Sequence, residues 1–341
     1  MTTGSSINHY PWIDAVKSIG VYLVVLGHLL YQSSIPIINQ LIYSFHMPLF
    51  FILSGYLYKF KDNETNSEFI KKKFLRTALP ALIWILITLP IYIFTEQNIN
   101  SIERIKRFIF FDGFVPYNDP CWFFIVLFFV FIVVRFIRSL ITDTAKSVVI
   151  NVIILFLGFI LYIFEVPDYF MMKKTVICLG FFMMGNNWHK CIMRINRNFK
   201  TSFYIAASAI SLVLWLVFGI ILNDKVSLYK VDLGNYWSFI FSGLFGTLFF
   251  CGSIKILYVC LDKTEKQLFV EKYPVSASIF IVCSHFIPIT VYRVLMNKMG
   301  LFYSFTYNIV TPIFCFLLIV FYYPFSRIIS RKIPILNGEL K

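Results

Sequence analysis

Ten long, continuous apolar stretches limit what this chain of 341 residues can fold into. A helix of about 20 mostly apolar residues can cross a bilayer, whereas the strands of a membrane barrel alternate polar and apolar residues over roughly ten positions. Only 14% of the residues are charged, against about 25% in soluble proteins. We therefore predict an all-α polytopic membrane helix bundle of about ten transmembrane helices. They cover residues 13–33, 41–58, 77–96, 121–140, 148–166, 175–190, 202–222, 236–260, 274–295 and 305–325.

Lysine and arginine are unevenly divided between the polar segments that join these stretches. With the N-terminus in the cytoplasm, 22 of the 31 lie on the cytoplasmic side and 9 on the other. Short cytoplasmic loops are enriched in these residues, so both termini are predicted to be cytoplasmic and the net charge of +14 requires no nucleic-acid partner. No polar segment is long enough for a soluble domain, which predicts a single membrane domain over 1–341. Residues 97–119 are predicted to contain an interfacial helix.

The first apolar stretch carries two ionisable side chains on one face of a helix. Lys17 and His28 are eleven residues apart, which is three turns plus about 20° and about 16 Å along the axis. Ionisable groups at membrane depth are costly, so each is a candidate site residue. Two other readings stay open: Lys17 could be an interfacial anchor paired with Asp14, and His28 could be hydrogen-bonded within the bundle.

A second histidine is predicted at a similar depth on the second stretch. His46 precedes Pro48, which cannot donate a hydrogen bond to the carbonyl of Ser44 and so opens the helix beside the histidine. Two imidazoles facing one cavity provide a general base and a hydrogen-bond donor for a developing oxyanion. No carboxylate or further histidine has the spacing of a metal site, so no metal is predicted.

Other polar residues are weaker candidates. Trp122, at the start of the fourth stretch, is typical of interface aromatics, and His285 in the ninth either lines the same cavity or bonds across helices. A basic run after the second stretch attracts phosphate groups, although the excess of positive charge in cytoplasmic loops explains it equally well. Its members are Lys71, Lys72, Lys73 and Arg76.

Three stretches resemble acyltransferase family 3, the integral membrane O-acyltransferases of bacterial surface polysaccharides. The first, at 12–28, places a basic residue, Lys17, ten intervening residues before a histidine, His28. The second, at 43–56, contains the other histidine and is typical of the sugar O-acetyltransferase branch. The third, at 121–124, resembles the Trp-Phe-Leu element of the family but has phenylalanine where leucine is common.

The resemblance covers the whole chain and implies transfer of an acyl group, usually acetyl, from cytosolic acyl-CoA to a sugar hydroxyl. It gives His28 the essential catalytic role, pairs Lys17 with it, carries over His46 as a second motif histidine and matches His285 to a late-helix histidine. The implied acceptor is a surface glycan such as O-antigen or its lipid-linked precursor, and the implied location is the bacterial inner membrane. Candidate substrate-binding residues are Asp14, Ser44, Trp122 and His285.

Two functions remain in competition at this point. In the acyltransferase hypothesis, acetyl-CoA binds at the basic run, and His28 takes a proton from the acceptor hydroxyl or carries the acyl group itself. A transporter or flippase for a polysaccharide precursor or a small solute would use the same histidines and lysine as a relay or binding site. Against the second, the chain shows no internal repeat of the kind found in many transporters.

Overall fold

The protein is known from a computed structural model, which describes residues 10–30, 36–60, 63–95, 103, 106–107, 115, 118–141, 143–195, 201–224, 226–261, 278–302 and 304–339. Within these ranges the chain forms helices and no β-strand, which confirms the predicted all-α class. The helices are α1 (Pro11–Leu30), α2 (Pro36–Tyr56), α3 (Asn66–Lys73), α4 (Leu79–Thr95), α5 (Trp122–Ile137), α6 (Thr144–Ile163), α7 (Met172–Ile195), α8 (Thr201–Leu216), α9 (Tyr236–Cys260), α10 (Ser278–Ser284), α11 (Phe286–Lys298) and α12 (Phe305–Lys332).

Short turns of other helix types join or extend these elements. A π-helical turn at Phe74–Ala78 runs α3 into α4, and another at Val217–Ile221 extends α8. A 3-10 turn at Asp119–Cys121 leads into α5. Among the described residues, eight of the resulting helical segments are long and apolar enough to cross a membrane, and they overlap eight of the ten predicted stretches.

The other two predicted stretches differ from simple apolar rods. The stretch at 175–190 is part of α7, which is 24 residues long and carries lysines near both ends. The stretch at 274–295 is broken into α10 and α11 at His285. The interfacial helix predicted at 97–119 falls largely on residues outside the described ranges.

Several helices extend beyond the apolar stretches because their ends carry capping and charge signals. α2 begins at Pro36 rather than at 41, since proline is well suited to the first helical turn. α3 begins at Asn66 behind a capping box formed by Thr65 and Glu68. α12 continues to Lys332, where basic side chains interact favourably with the helix dipole.

The outer surface of the bundle is apolar, and many interior positions are not. Large side chains such as Leu86, Phe316 and Phe321 are exposed, as expected for a surface that faces lipid. In contrast, His46 and His285 are buried. The structure is therefore a polytopic helix bundle whose polar groups are gathered inside.

The central helix α2 packs against α1, α7 and α9, and its contact with α7 is a direct approach of two backbones. A Cβ atom placed on Gly55 would overlap the carbonyl oxygen of Phe182, and one on Gly185 would overlap that of Ile52. Small residues allow such close packing between membrane helices. This contact holds α2 in the middle of the bundle, with its other face towards α1.

We expect Gly185→Ala to destabilise the protein by about 3 kcal/mol, the upper end of the typical cost of overpacking a core. The new methyl group has only backbone atoms of α2 to displace. The measurement is the thermal unfolding temperature in detergent, together with abundance in the membrane. Gly219→Ala is the control, because its nearest neighbour is a side-chain atom, Ser44 Oγ, at 3.2 Å. Equal unfolding temperatures for wild type and Gly185→Ala would contradict the packing described above.

Candidate active site

A cavity of about 160 Å³ lies between α1, α2 and the start of α5. One face of α1 supplies Lys17, Val21, Val24 and His28 to its wall, in the order expected for one helical stripe. The facing side of α2 supplies Ser54 among others. This inner cavity is mostly apolar, with a lysine at the end that the loop charges predict to be cytoplasmic.

A second cavity of about 260 Å³ lies towards the opposite, predicted outer, end of the bundle. Its wall includes His28 from α1 and both Tyr43 and His46 from α2. Three residues line both cavities and so form the partition between them; they are His28, Met47 and Trp122. His28 therefore has access to a chamber on each side of the partition.

Side chains from three other helices hold the last turn of α1, where His28 lies. The last carbonyls of a helix have no partner within it, and in the membrane interior each must find one elsewhere. Three donors provide them: Asn39 of α2 to the carbonyl of Gly27 (3.1 Å), Arg293 of α11 to that of His28 (2.5 Å) and Tyr307 of α12 to that of Leu29 (2.8 Å). The depth of His28 is thus set by α2, α11 and α12 together.

The aromatic and imidazole rings around His28 form a compact group. The ring centroids of His28 and His285 are 5.2 Å apart. Tyr43 lies between the two motif histidines, with its centroid 6.5 Å from that of His28 and 5.0 Å from that of His46. The prediction that His28 and His46 share a cavity on neighbouring helices agrees with this geometry.

Backbone hydrogen bonds fix the tautomers of His46 and His285. The Nδ1 atom of His46 donates to the carbonyl of Ile42 at 2.7 Å, and that of His285 donates to the carbonyl of Ile281 at 3.1 Å. Because a carbonyl oxygen can only accept, the proton is on Nδ1 and Nε2 is left as an acceptor. Nε2 of His285 is buried and has no hydrogen-bond partner among the described residues.

A family described as an acyltransferase domain, acyltransferase family 3, matches residues 10–327. The chain belongs to this family. No curated protein and no solved structure matches it. The predicted membership is confirmed, and the protein is a membrane acyltransferase.

Trp122 and Lys17 line the cavities of the acyltransferase. The other predicted substrate contacts, Asp14, Ser44 and His285, do not. Trp122 lines both cavities, and Lys17 lines the inner one with its ammonium 3.9 Å from Asp14. Asp14 itself lines neither cavity. His285 also lines neither and is buried behind His28. Its position suits contact with His28 rather than with substrate.

Ser44 is a packing residue on the far side of α2. Its hydroxyl donates to the carbonyl of Leu41 and accepts from the indole of Trp215 at 2.9 Å. Its own carbonyl, which Pro48 cannot bond, accepts from the hydroxyl of Ser242 at 3.3 Å. Ser242 of α9 therefore satisfies the carbonyl that was predicted to be open beside His46, and α2 continues as one helix through Pro48.

The predicted donor-binding run lies outside both cavities. Lys72 forms an ion pair with Glu64 at 3.1 Å, and the ammonium of Lys73 lies 3.6 Å from the ring centroid of Phe131. Both cations therefore have structural partners. Lys71 and Arg76 are exposed on the predicted cytoplasmic surface.

Several wall residues of the outer cavity were missed from the sequence. Arg293 and Lys230 line it, and the hydroxyl of Tyr229 donates to Asp119 at 3.0 Å. Arg293 carried a usable signal, since it is a charged residue at the end of an apolar stretch. Tyr229 and Lys230 sit in a loop that the sequence does not connect with His28.

A buried ion pair supports this part of the wall. Lys174 and Asp168 are 2.7 Å apart with side chains 1% and 4% exposed. Burial raises the pKa of the Asp168 carboxyl, and the Lys174 ammonium opposes that rise. The same ammonium lies 5.6 Å from the ring centroid of Tyr229, so the pair helps to fix the loop that carries Tyr229.

We expect Lys174→Met to destabilise the protein by about 3–5 kcal/mol, because it leaves a carboxyl buried without its partner. The double variant Asp168→Leu with Lys174→Met should recover part of that loss. Thermal unfolding in detergent is the measurement. Lys146→Met is the matched control, since its ion pair with Asp143 is exposed and such pairs contribute little, on the order of 0.5 kcal/mol. A loss as small as that of the control would contradict the assigned role.

Proposed function

We propose that the protein transfers an acyl group, most simply acetyl, from acyl-CoA on the cytoplasmic side to a sugar hydroxyl on the outer side. The acceptor is a bacterial surface polysaccharide or its lipid-linked precursor, and the enzyme works in the inner membrane. The observation that carries this proposal is the place of His28 in the partition between two cavities. Family membership favours this function over the transporter.

The inner cavity suits the thin, flexible arm of an acyl-CoA. Its walls are apolar over most of their area, with Val21 and Val24 along one side, and Lys17 and Ser54 supply polar contacts. The helical rise places Lys17 about 16 Å from His28, so a donor entering past Lys17 extends along α1 to reach the partition. The exposed cations Lys71 and Arg76 attract the phosphates of CoA to the surface.

The outer cavity suits the acceptor sugar, and His28 lies where the two substrates meet. The acceptor hydroxyl oxygen attacks the thioester carbonyl carbon as His28 takes the hydroxyl proton. The new C–O bond forms, the C–S bond breaks, and the proton passes to the departing thiolate of CoA. The same position also suits a mechanism in which His28 first receives the acyl group and then passes it to the acceptor.

His46 and Tyr43 have supporting roles in this proposal. Both line the outer cavity beside His28, and the Nε2 atom of His46 can accept a hydrogen bond from a sugar hydroxyl, because its Nδ1 donates to the carbonyl of Ile42. Tyr43 lies beside His46 in the same wall. These groups orient the acceptor so that one hydroxyl reaches His28.

We expect His28→Ala to reduce acyl transfer by about 100-fold or more, since it removes the general base or acyl carrier. The assay supplies membranes with radiolabelled acetyl-CoA and cell-envelope glycan and measures label in the glycan. His189→Ala is the matched control, because His189 lines neither cavity and packs against Tyr56 instead. Full activity of His28→Ala, at normal abundance in the membrane, would refute the proposal.

Lys17→Gln is expected to raise the KM for acetyl-CoA about tenfold with a smaller change in kcat, because the lysine contacts the donor rather than the reacting atoms. Initial rates over a range of acetyl-CoA concentrations separate the two parameters. Lys146→Gln, at an exposed site on α6, serves as the control. A fall in kcat with an unchanged KM would place Lys17 at the chemical step and contradict the donor-binding role.

A further inference from the structure

Two cations line the outer cavity and form no ion pair within the described part of the chain. Arg293 comes from α11 and Lys230 from the loop before α9, and both line the cavity. Within the described ranges, no carboxylate forms an ion pair with either residue. Asp119 shares the same wall, and its carboxylate accepts the hydroxyl of Tyr229 at 3.0 Å. The wall of the cavity therefore carries two cations against one carboxylate.

The described part of the chain uses only part of the hydrogen-bonding capacity of Arg293, whose guanidinium also contacts the hydroxyl of Tyr307. Its Nη2 donates to the carbonyl of His28 at 2.5 Å, so this nitrogen of the guanidinium acts as a cap on α1. Its Nε is buried and has no partner within the described part of the chain. A buried donor without a partner is costly, and a guanidinium matches the planar, two-pronged shape of carboxylate and phosphate.

Arg293 also lies where the outer cavity meets the surface of the bundle. It lines a more open groove of about 380 Å³ together with Val294, Asn297 and Phe302. Val294 is 49% exposed on the apolar outer surface. A ligand bound to Arg293 can thus reach towards His28 on one side and towards the lipid-facing surface on the other.

A cap on α1 explains only one of these observations. It accounts for Nη2 of Arg293, but not for the unused Nε or for the exposed ammonium of Lys230 on the same wall. A purely neutral sugar would leave both cations without an anionic partner. An anionic group on the acceptor would pair with both.

We propose that the outer cavity selects acceptors that carry an oxyanion, which Arg293 and Lys230 bind while a neighbouring sugar hydroxyl faces His28. The oxyanion is either the carboxylate of an acidic sugar or the phosphate of a lipid-linked sugar. This inference rests on the proposed function for the identity of the acceptor. Recognition of the oxyanion, however, is a binding property that is measured without any acyl donor.

The test is thermal unfolding of the full-length protein in detergent, with two matched pairs of probes. Glucuronate is compared with glucose, and a polyprenyl phosphate with the corresponding polyprenol. A ligand that binds the folded state raises the unfolding temperature with its concentration. We expect a rise of about 2 °C or more at saturation from one anionic probe and none from its neutral partner. A response to glucuronate identifies the carboxylate source, and a response to polyprenyl phosphate identifies the lipid-linked source.

Three variants test whether the rise in unfolding temperature depends on Arg293 and Lys230. Arg293→Gln and Lys230→Gln should each lose most of it, whereas Lys298→Gln, at the end of α11 and outside the cavities, should keep it. Lys230 is exposed, so its variant remains informative if Arg293→Gln fails to fold. The inference is overturned if neither anion stabilises the wild type, or if Lys230→Gln and the control respond like the wild type. Acyl transfer in the glycan assay would still stand in that case, which separates this failure from failure of the proposed function.

Discussion

The position of α2 determines the rest of the candidate site. Its backbone lies directly against that of α7, because Gly55 and Gly185 have no side chains to keep the two helices apart. On the other side, the hydroxyl of Ser242 in α9 donates to the carbonyl of Ser44, which Pro48 cannot bond. With α2 held on both flanks, the face that carries Tyr43 and His46 has to meet α1. Any change that moves α2 would separate the two motif histidines.

The site also depends on hydrogen bonds, because polar groups inside the membrane need hydrogen-bonding partners. The last turn of α1 shows how this constraint builds the site, because its carbonyls are bonded by side chains from α2, α11 and α12. Those bonds satisfy the backbone and also fix the height of His28 in the bundle. The break at His285 follows the same rule: Pro288 cannot bond the carbonyl of Ser284, which accepts from the hydroxyl of Tyr322 at 3.5 Å instead. The stability of the bundle and the geometry of the candidate site therefore depend on the same hydrogen bonds.

Much of the fold follows from local patterns that need no knowledge of neighbours. Long apolar stretches predict helices because the backbone must bond internally in lipid, and the stripe of Lys17 and His28 follows from the helical period. The limits of the prediction are equally physical. The extension of α12 to Lys332 lies beyond the apolar stretch, and the partnership of Ser44 with Trp215 joins residues far apart in the chain. Hydropathy alone predicts neither feature.

The sequence by itself determined the membrane location, the helical class, the family and the residues of the first two helices that approach each other, because these depend on composition, period and motif. Only the tertiary structure decided that His28 separates two cavities and that His285 stands behind it rather than in the cavity wall. It also decided that Arg293 and Lys230 share that wall with the histidines. The physical reason is that a cavity is the space left between helices distant in sequence, so its lining depends on packing and not on any local pattern.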